Sequence, residues 1–300
     1  LKFLFNCNNF NNKDLRSNLK LRIRHPGSES EVLVNVSPWK ILNNEVIKKD
    51  IMRLDSNIDE FDFIEQNEVN KQVVIKSGIY TLNRNLIIPK GYSFIIEPGT
   101  VLSLENNAII LSYSKILWIG SQDNRITIKS SKNYQGSLVV FDVDEESIVE
   151  YVDFNKLSYP KVSDWLVSGS VNFYKSKVRI SNVTILNNDA EDAINIVDGE
   201  FIIEDVFFKD IKSDALDIDF GRGVVRRSKF YNIGNDAIDT SGSVVEVNNI
   251  DIFDVNDKGI SAGELSTIKG EGVNIDKAEI GITSKDGSSV ILNKVDIHYT

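Results

Sequence analysis

The sequence repeats itself every 22 residues over its last hundred. Ala193, Ala215, Ala237, Gly259 and Gly281 keep that step, and so do their neighbours Ile194, Leu216, Ile238, Ile260 and Ile282. A polar column follows at Asn195, Asp217, Asp239, Ser261 and Thr283. Farther along the repeat Phe208, Phe230 and Ile252 hold the step, as do Ile211, Ile233 and Val255, with a compensated one-residue slip near "GELS". The segments between are short β-branched runs broken by Gly, Pro, Asn or Ser, with almost no helical periodicity. Such a repeat predicts a parallel β-helix: each coil is three short strands and their bends, stacked on the next at ~4.8 Å. One coil cannot bury its own apolar side, so the aliphatic columns fill a continuous interior. Roughly ten coils fit between residues 70 and 300, a rod on the order of 50 Å long. The Leu/Asn consensus of leucine-rich repeats is missing, and a barrel would not hold one period so long.

Residues 1–70 read differently and are expected to be a small N-terminal α/β cap or the tail of a preceding domain, with the β-helix over 71–300. "KLRIRHPGSESEVLVNVSPW" predicts two short strands around a Pro-Gly turn, and Ser37 followed by Pro38 predicts a helix start. The opening "LKFLFNCNNF" lacks the core and cleavage site of a signal peptide and reads as the cut edge of a longer protein. The final coil, "SSVILNKVDIHYT", carries no polar cap, so the rod is expected to be truncated there, the natural chain continuing or a further domain or subunit covering that end. A net charge of −10 argues against nucleic acid as partner. With Cys7 alone there is no internal disulfide and no cysteine zinc cluster. No apolar run is long enough to span a membrane.

Strand alternation sorts the acids of the repeat. With Leu216, Ile218 and Ile238 pointing in, Asp217, Asp219 and Asp239 point out, while Asp192, Asp214 and Asp236 occupy the bend before the strand. Together with Glu191 they come from three adjacent coils. Two charges ~4.8 Å apart repel by about 0.9 kcal/mol in water and about 3.5 kcal/mol at an effective dielectric near 20. Relief must come from a cation, from raised carboxyl pKa values, or from bases such as Arg222, Arg226, Arg227, Lys258 and Lys285. Lys258 stands in the column of Asp236, one coil on. Ca²⁺, which takes six to eight oxygens in loose geometry, suits Asp217, Asp219, Asp239, Asn195 and Glu264. The bend acids have a plainer reading as acceptors of backbone N–H groups.

The segments "GSVNFYKSKVRISNVTILNNDAEDAINIV", "SDALDIDF", "NDAIDTSGS", "DKGISAGELS" and "GITSKDGSSV" resemble the right-handed parallel β-helices of pectate-lyase-like proteins, over residues 72–300. More narrowly they resemble bacterial β-helix proteins of poorly defined activity, some of which accompany spore-coat-H-type kinase domains. The resemblance implies an extracellular, cell-surface or periplasmic protein that meets an acidic polysaccharide or cell-surface glycan. A lyase or C5-epimerase would use a cation at Asp217, Asp219 and Asp239 to neutralise a uronate, with a Lys or Arg base. "EIGITSKDGSSV" is similar to the strand carrying the catalytic lysine of chondroitinase-B-like lyases, which implies Lys285 as base and Arg226 as acid, beside Lys258 and Asp239. Two alternatives stay open: a non-catalytic adhesin or glycan-binding module, and a glycoside hydrolase using paired Asp residues. The histidine-containing motifs of β-helical polygalacturonases and the alginate-epimerase "DPH" are absent, and His25 and His298 lie off the columns. Trp165, Phe173 and Tyr174, one coil upstream of the acids, are candidates to stack on sugar rings or to pack the wall.

Overall fold

A computed structural model describes residues 20–24, 30–35, 50–131, 134–161 and 167–298. The predicted helix at Ser37, together with Cys7, His25 and Trp165, lies outside the described residues. The chain divides into two compact units, Leu1–Arg53 and Leu54–Thr300. In the first, Lys20–Arg24 pairs antiparallel with Glu31–Asn35, the two strands expected from the sequence.

The second unit is an all-β parallel solenoid of about ten turns. Each coil presents three faces. On the second face Gln72–Ile75 pairs in parallel with Ser93–Ile96, and that with Lys115–Ile119; on the third, Ile79–Leu82 pairs with Val101–Leu104. On the first face Leu86–Ile88 pairs with Ile109–Ser112. Farther on the first face runs through Asp192–Val197, Asp214–Asp219 and Ile238–Ser241, with Ile194↔Leu216↔Ile238 in register. The next rung continues to Ile260↔Ile282. The 22-residue columns are therefore true ladders. The inward Ile194, Leu216, Ile238 and Ile260 are fully buried, as are Ala193, Ala215 and Ala237 beside them. The third-face rings Phe208 and Phe230 stack at 4.7 Å and 5° in the interior. At the N-terminal end Ile64–Asn67 folds back antiparallel on Gln72–Ile75, and Ile58 and Phe61 join the core.

Left-handed residues turn the chain at its bends. Asn182, Asp205, Arg227, Asn249, Gly272 and Lys294 form one such column, all at positive φ. Asn, Asp and Gly tolerate that conformation best, which explains much of the Asn and Asp content of the repeat without any ligand. The one-residue slip is also real: Ser243 aligns with Ser266, 23 residues on, because Glu264 and Leu265 both take positive φ where Gly242 alone served. The compensation falls between Val255 and Lys258, where the pairing returns to a 22-residue step. Among the described residues no helix is long and apolar enough to cross a membrane.

Candidate functional site

The acids gather where the third face bends into the first. Asp192, Asp214 and Asp236 are buried there, at 2%, 9% and 2% exposure. The bend role anticipated for them is present at Asp214 and Asp236: Asp214 Oδ1 accepts the Asp236 amide at 2.7 Å and Asn235 Nδ2 at 2.6 Å, and Asp236 Oδ1 accepts the Lys258 amide at 3.0 Å. Lys258 also brings its Nζ to Asp236 at 3.3 Å and to Asp257. Burial alone would lower the Lys258 pKa, but the bond to Asp257 and the charge of Asp236 leave it raised. Lys258 is thus the counter-ion of a buried carboxylate.

On the outer surface Asp217 and Asp239 are register partners, and Asp219 faces Ser241. All three acids are half-buried rather than freely solvated. Asn195 Nδ2 donates to Asp217 Oδ2 at 2.8 Å, and Asp239 Oδ1 accepts the Thr240 amide at 2.9 Å. Burial first, and then the charges of Asp192, Asp219 and Asp239, push Asp217 up to about 9. Burial likewise pushes Asp192 up to about 7, against a hydrogen bond from Ser168, with the Asp214 charge adding to the rise. Asp214 rises to about 6 through burial, held back by its bonds to the Asp236 amide and Asn235. Asp219 is raised by burial and by the Asp239 and Glu264 charges, against a hydrogen bond from Asn195, and Tyr174 is pushed up to about 12 by burial and the Asp192, Asp219 and Asp217 charges. Of the three forms of relief open to stacked acids, the cluster takes raised carboxyl pKa values, furthest at Asp217, and a lysine at Asp236, whose own pKa burial still raises against the Lys258 charge.

The expected site residues do not all meet. Asp217, Asp219 and Asp239 share one surface, and the Glu264 charge reaches Asp219. Lys285, exposed, lies over Gly263, with its Cε 3.0 Å from where a Cβ would stand there. That places it three rungs beyond Asp219, about 14 Å along the rod. Arg226 is on the second face, where its Nε and Nη2 bind Glu204 at 2.8 and 2.7 Å. Phe173 is fully buried and packs the interior, whereas Tyr174 is half-buried within reach of the Asp192, Asp219 and Asp217 charges. Asp192 Oδ2 and Asn195 Oδ1 are buried without a hydrogen-bond partner. They are oxygens of the type a hard cation takes. Among the described residues no three acidic, histidine or cysteine groups are arranged to hold a metal ion. The sequence places Asp192 in the acid patch through its bend column with Asp214 and Asp236 but not among the expected ligands or catalytic groups, and it offers no signal for Ser168.

No protein-family model matches the chain, and no curated protein matches it. Among solved structures it is similar to a point mutant of the periplasmic alginate epimerase AlgG, at 9% identity and a TM-score of 0.26, over 81% of this chain and 92% of that one.

Proposed function

We propose that the protein is a glycan-processing β-helix whose first face hydrolyses a glycosidic bond by paired carboxyl groups. The observation that carries this is Asp217, which burial and its acidic neighbours keep protonated at neutral pH, in register with Asp239 on the adjoining rung. Adjacent rungs set such side chains about 5 Å apart, the separation associated with double displacement. Asp217 donates its proton to the leaving oxygen while the Asp239 carboxylate attacks the anomeric carbon, breaking the glycosidic C–O bond and forming a glycosyl ester. Water, losing its proton to the Asp217 carboxylate, then cleaves that ester and restores both groups. Asn195, buried beneath, holds Asp217 by the hydrogen bond it donates to Oδ2, and the half-buried Tyr174 lies near enough to feel the acid charges. In this reading Asp217→Asn lowers release of reducing ends from a susceptible polysaccharide by about 10²- to 10⁴-fold, and the product keeps its anomeric configuration by proton NMR. Full turnover by Asp217→Asn refutes it. Absence of turnover by the parent protein on any glycan leaves the non-catalytic binding module as the better reading.

A cation-dependent lyase or epimerase acting on an acidic glycan is the second reading, favoured by the unpartnered Asp192 Oδ2 and Asn195 Oδ1. Bound there with Asp217, Asp219, Asp239 and Glu264 rearranged around it, Ca²⁺ would neutralise a uronate carboxylate. Of the bases this reading needs, Lys258 is held by Asp236 and Asp257, and Lys285 is exposed over Gly263, about 14 Å along the rod from Asp219. It predicts activity on uronate polymers that chelation abolishes and an unsaturated or epimerised product. Chelator-insensitive cleavage to reducing ends excludes it.

A further inference from the structure

The left-handed column at the bend from the first face to the second contains one residue that neither backbone geometry nor burial explains. Lys175, Asp198, Phe220, Gly242 and Glu264 occupy it, at φ 47°, 52°, 55°, 61° and 52°. Four of them are polar or glycine. Phe220 is the bulky exception in a conformation that disfavours bulky side chains, and it is 66% exposed. Its ring lies against Gly242, where an added Cβ would come within 2.6 Å of Phe220 Cδ1 and 2.8 Å of Cε1. Only glycine at that next rung leaves space for the ring. Toward the preceding coils the ring lines a cavity of about 430 Å³ with Asp144, Lys175, Asp198 and Arg222, a size within the range of small-ligand sites. Two other acids of the cavity are answered, Glu200 by Lys177 at 3.2 Å and Asp142 by Lys90 at 3.0 Å. Among the described residues Asp144, Lys175, Asp198 and Arg222 make no ion pair.

We infer that Phe220 is the stacking platform of a sugar-binding subsite, set at the bend that follows Asp219 and filled by one pyranose unit of the glycan. The inference rests on the glycan reading proposed above. A pyranose ring has an apolar C–H face, which suits an exposed aromatic, and a rim of hydroxyls that both donate and accept. Unpaired groups of both signs answer such a rim, whereas a site for a fully charged ligand would carry one sign. Phe220 directly follows Asp219, so a sugar held there lies next to the outward acids on the same coil.

The test uses the Asp217→Asn protein, so that turnover does not interfere, titrated calorimetrically with cellohexaose, chitohexaose, xylohexaose, mannohexaose, hexagalacturonate and hexamannuronate. Phe220→Gly in that background is expected to weaken the best hexasaccharide about 10- to 100-fold while Tm stays level or rises, because glycine suits the left-handed bend. Phe220→Tyr is expected to keep binding within threefold. Unchanged affinity in Phe220→Gly, or no binding of any hexasaccharide by the Asp217→Asn parent, overturns the subsite. Failure of the hydrolytic reading shows elsewhere, as turnover that survives Asp217→Asn.

Discussion

Replacing Asp217 by Asn is expected to stabilise the fold at neutral pH while it removes the proposed chemistry. The ordinary value for its carboxyl is 3.8, and in the folded protein it is pushed up to about 9. Below pH 3.8 both folded and unfolded chains hold the proton and the group contributes nothing to the pH dependence. Above it the unfolded chain ionises while the folded chain does not, so folding must retain a proton that solution would remove. Stability then falls with rising pH, by about 1.4 kcal/mol per unit, until the folded carboxyl also ionises near 9. Between 3.8 and 7 that amounts to at most about 4 kcal/mol from this one residue. Asn keeps the acceptor for Asn195 Nδ2 and takes away the titration. Asp217→Asn is therefore expected to gain about 2–4 kcal/mol at pH 7, or roughly 4–15 °C in Tm for a unit of this size. The assay is urea unfolding of both proteins at several pH values from 4 to 9. The difference should be near zero at pH 4 and grow steadily to pH 9. A gain independent of pH, or a loss at pH 7, would show that the carboxyl is not held protonated and would refute the reasoning.

Two further substitutions test the frame around the acids. Lys258→Met leaves the Asp236 carboxylate, whose side chain is 3% exposed, without its counter-ion, and is expected to cost roughly 3 kcal/mol in urea unfolding at pH 7. An unchanged midpoint would mean that Asp236 needs no lysine. Gly234→Ala places a Cβ 1.9 Å from the Lys212 carbonyl oxygen of the coil below; the rungs must part there, at a cost of about 3 kcal/mol seen as a lowered Tm.

The architecture was legible because a solenoid writes one environment many times. Once Ile194, Leu216 and Ile238 were recognised as rungs, alternation placed Asp217, Asp219 and Asp239 outside, and the pairing of Asp217 with Asp239 followed. Column arithmetic also carried information that went unused: Glu204 and Arg226 share a ladder, and their 22-residue offset already marks them as partners on a face away from the acids. Depth was not legible. A period of two tells which way a side chain leaves the strand but not what lies over it, and Ser168, which reaches both Asp192 and Tyr174, belongs to no column of the repeat. The pKa shifts, which are mostly burial effects, were hidden with it. Phe220 stayed invisible for another reason. Its oddness appears only when the bend is known to be left-handed, because a Phe after a strand is otherwise unremarkable.

The acid patch and the aromatic bend depart from the repeat in the same sense. Elsewhere the ladder carries mostly what its position favours: aliphatics inside, Asn, Asp or Gly at most of the left-handed bends, with charged residues such as Lys175, Arg227 and Lys294 and the bulky Tyr151 and Leu265 at others, and opposite charges one rung apart, as in Glu204 and Arg226. At Asp217 the same logic would place a lysine or asparagine beside so many acids, and at Phe220 a glycine or asparagine. Both departures destabilise the rod, and they occur three residues apart on one coil. A rod serving only as a spacer has no use for either, since each is removable by a single substitution that strengthens the fold. A surface that must donate a proton to a sugar and hold the sugar's apolar face needs both. The decisive observation is therefore joint: the stabilised double variant Asp217→Asn, Phe220→Gly should unfold at higher urea than its parent at pH 7, bind the best hexasaccharide about 10- to 100-fold more weakly than Asp217→Asn, and lose turnover by at least the about 10²- to 10⁴-fold of that single variant. A double variant that gains stability with glycan binding intact would assign both departures to drift.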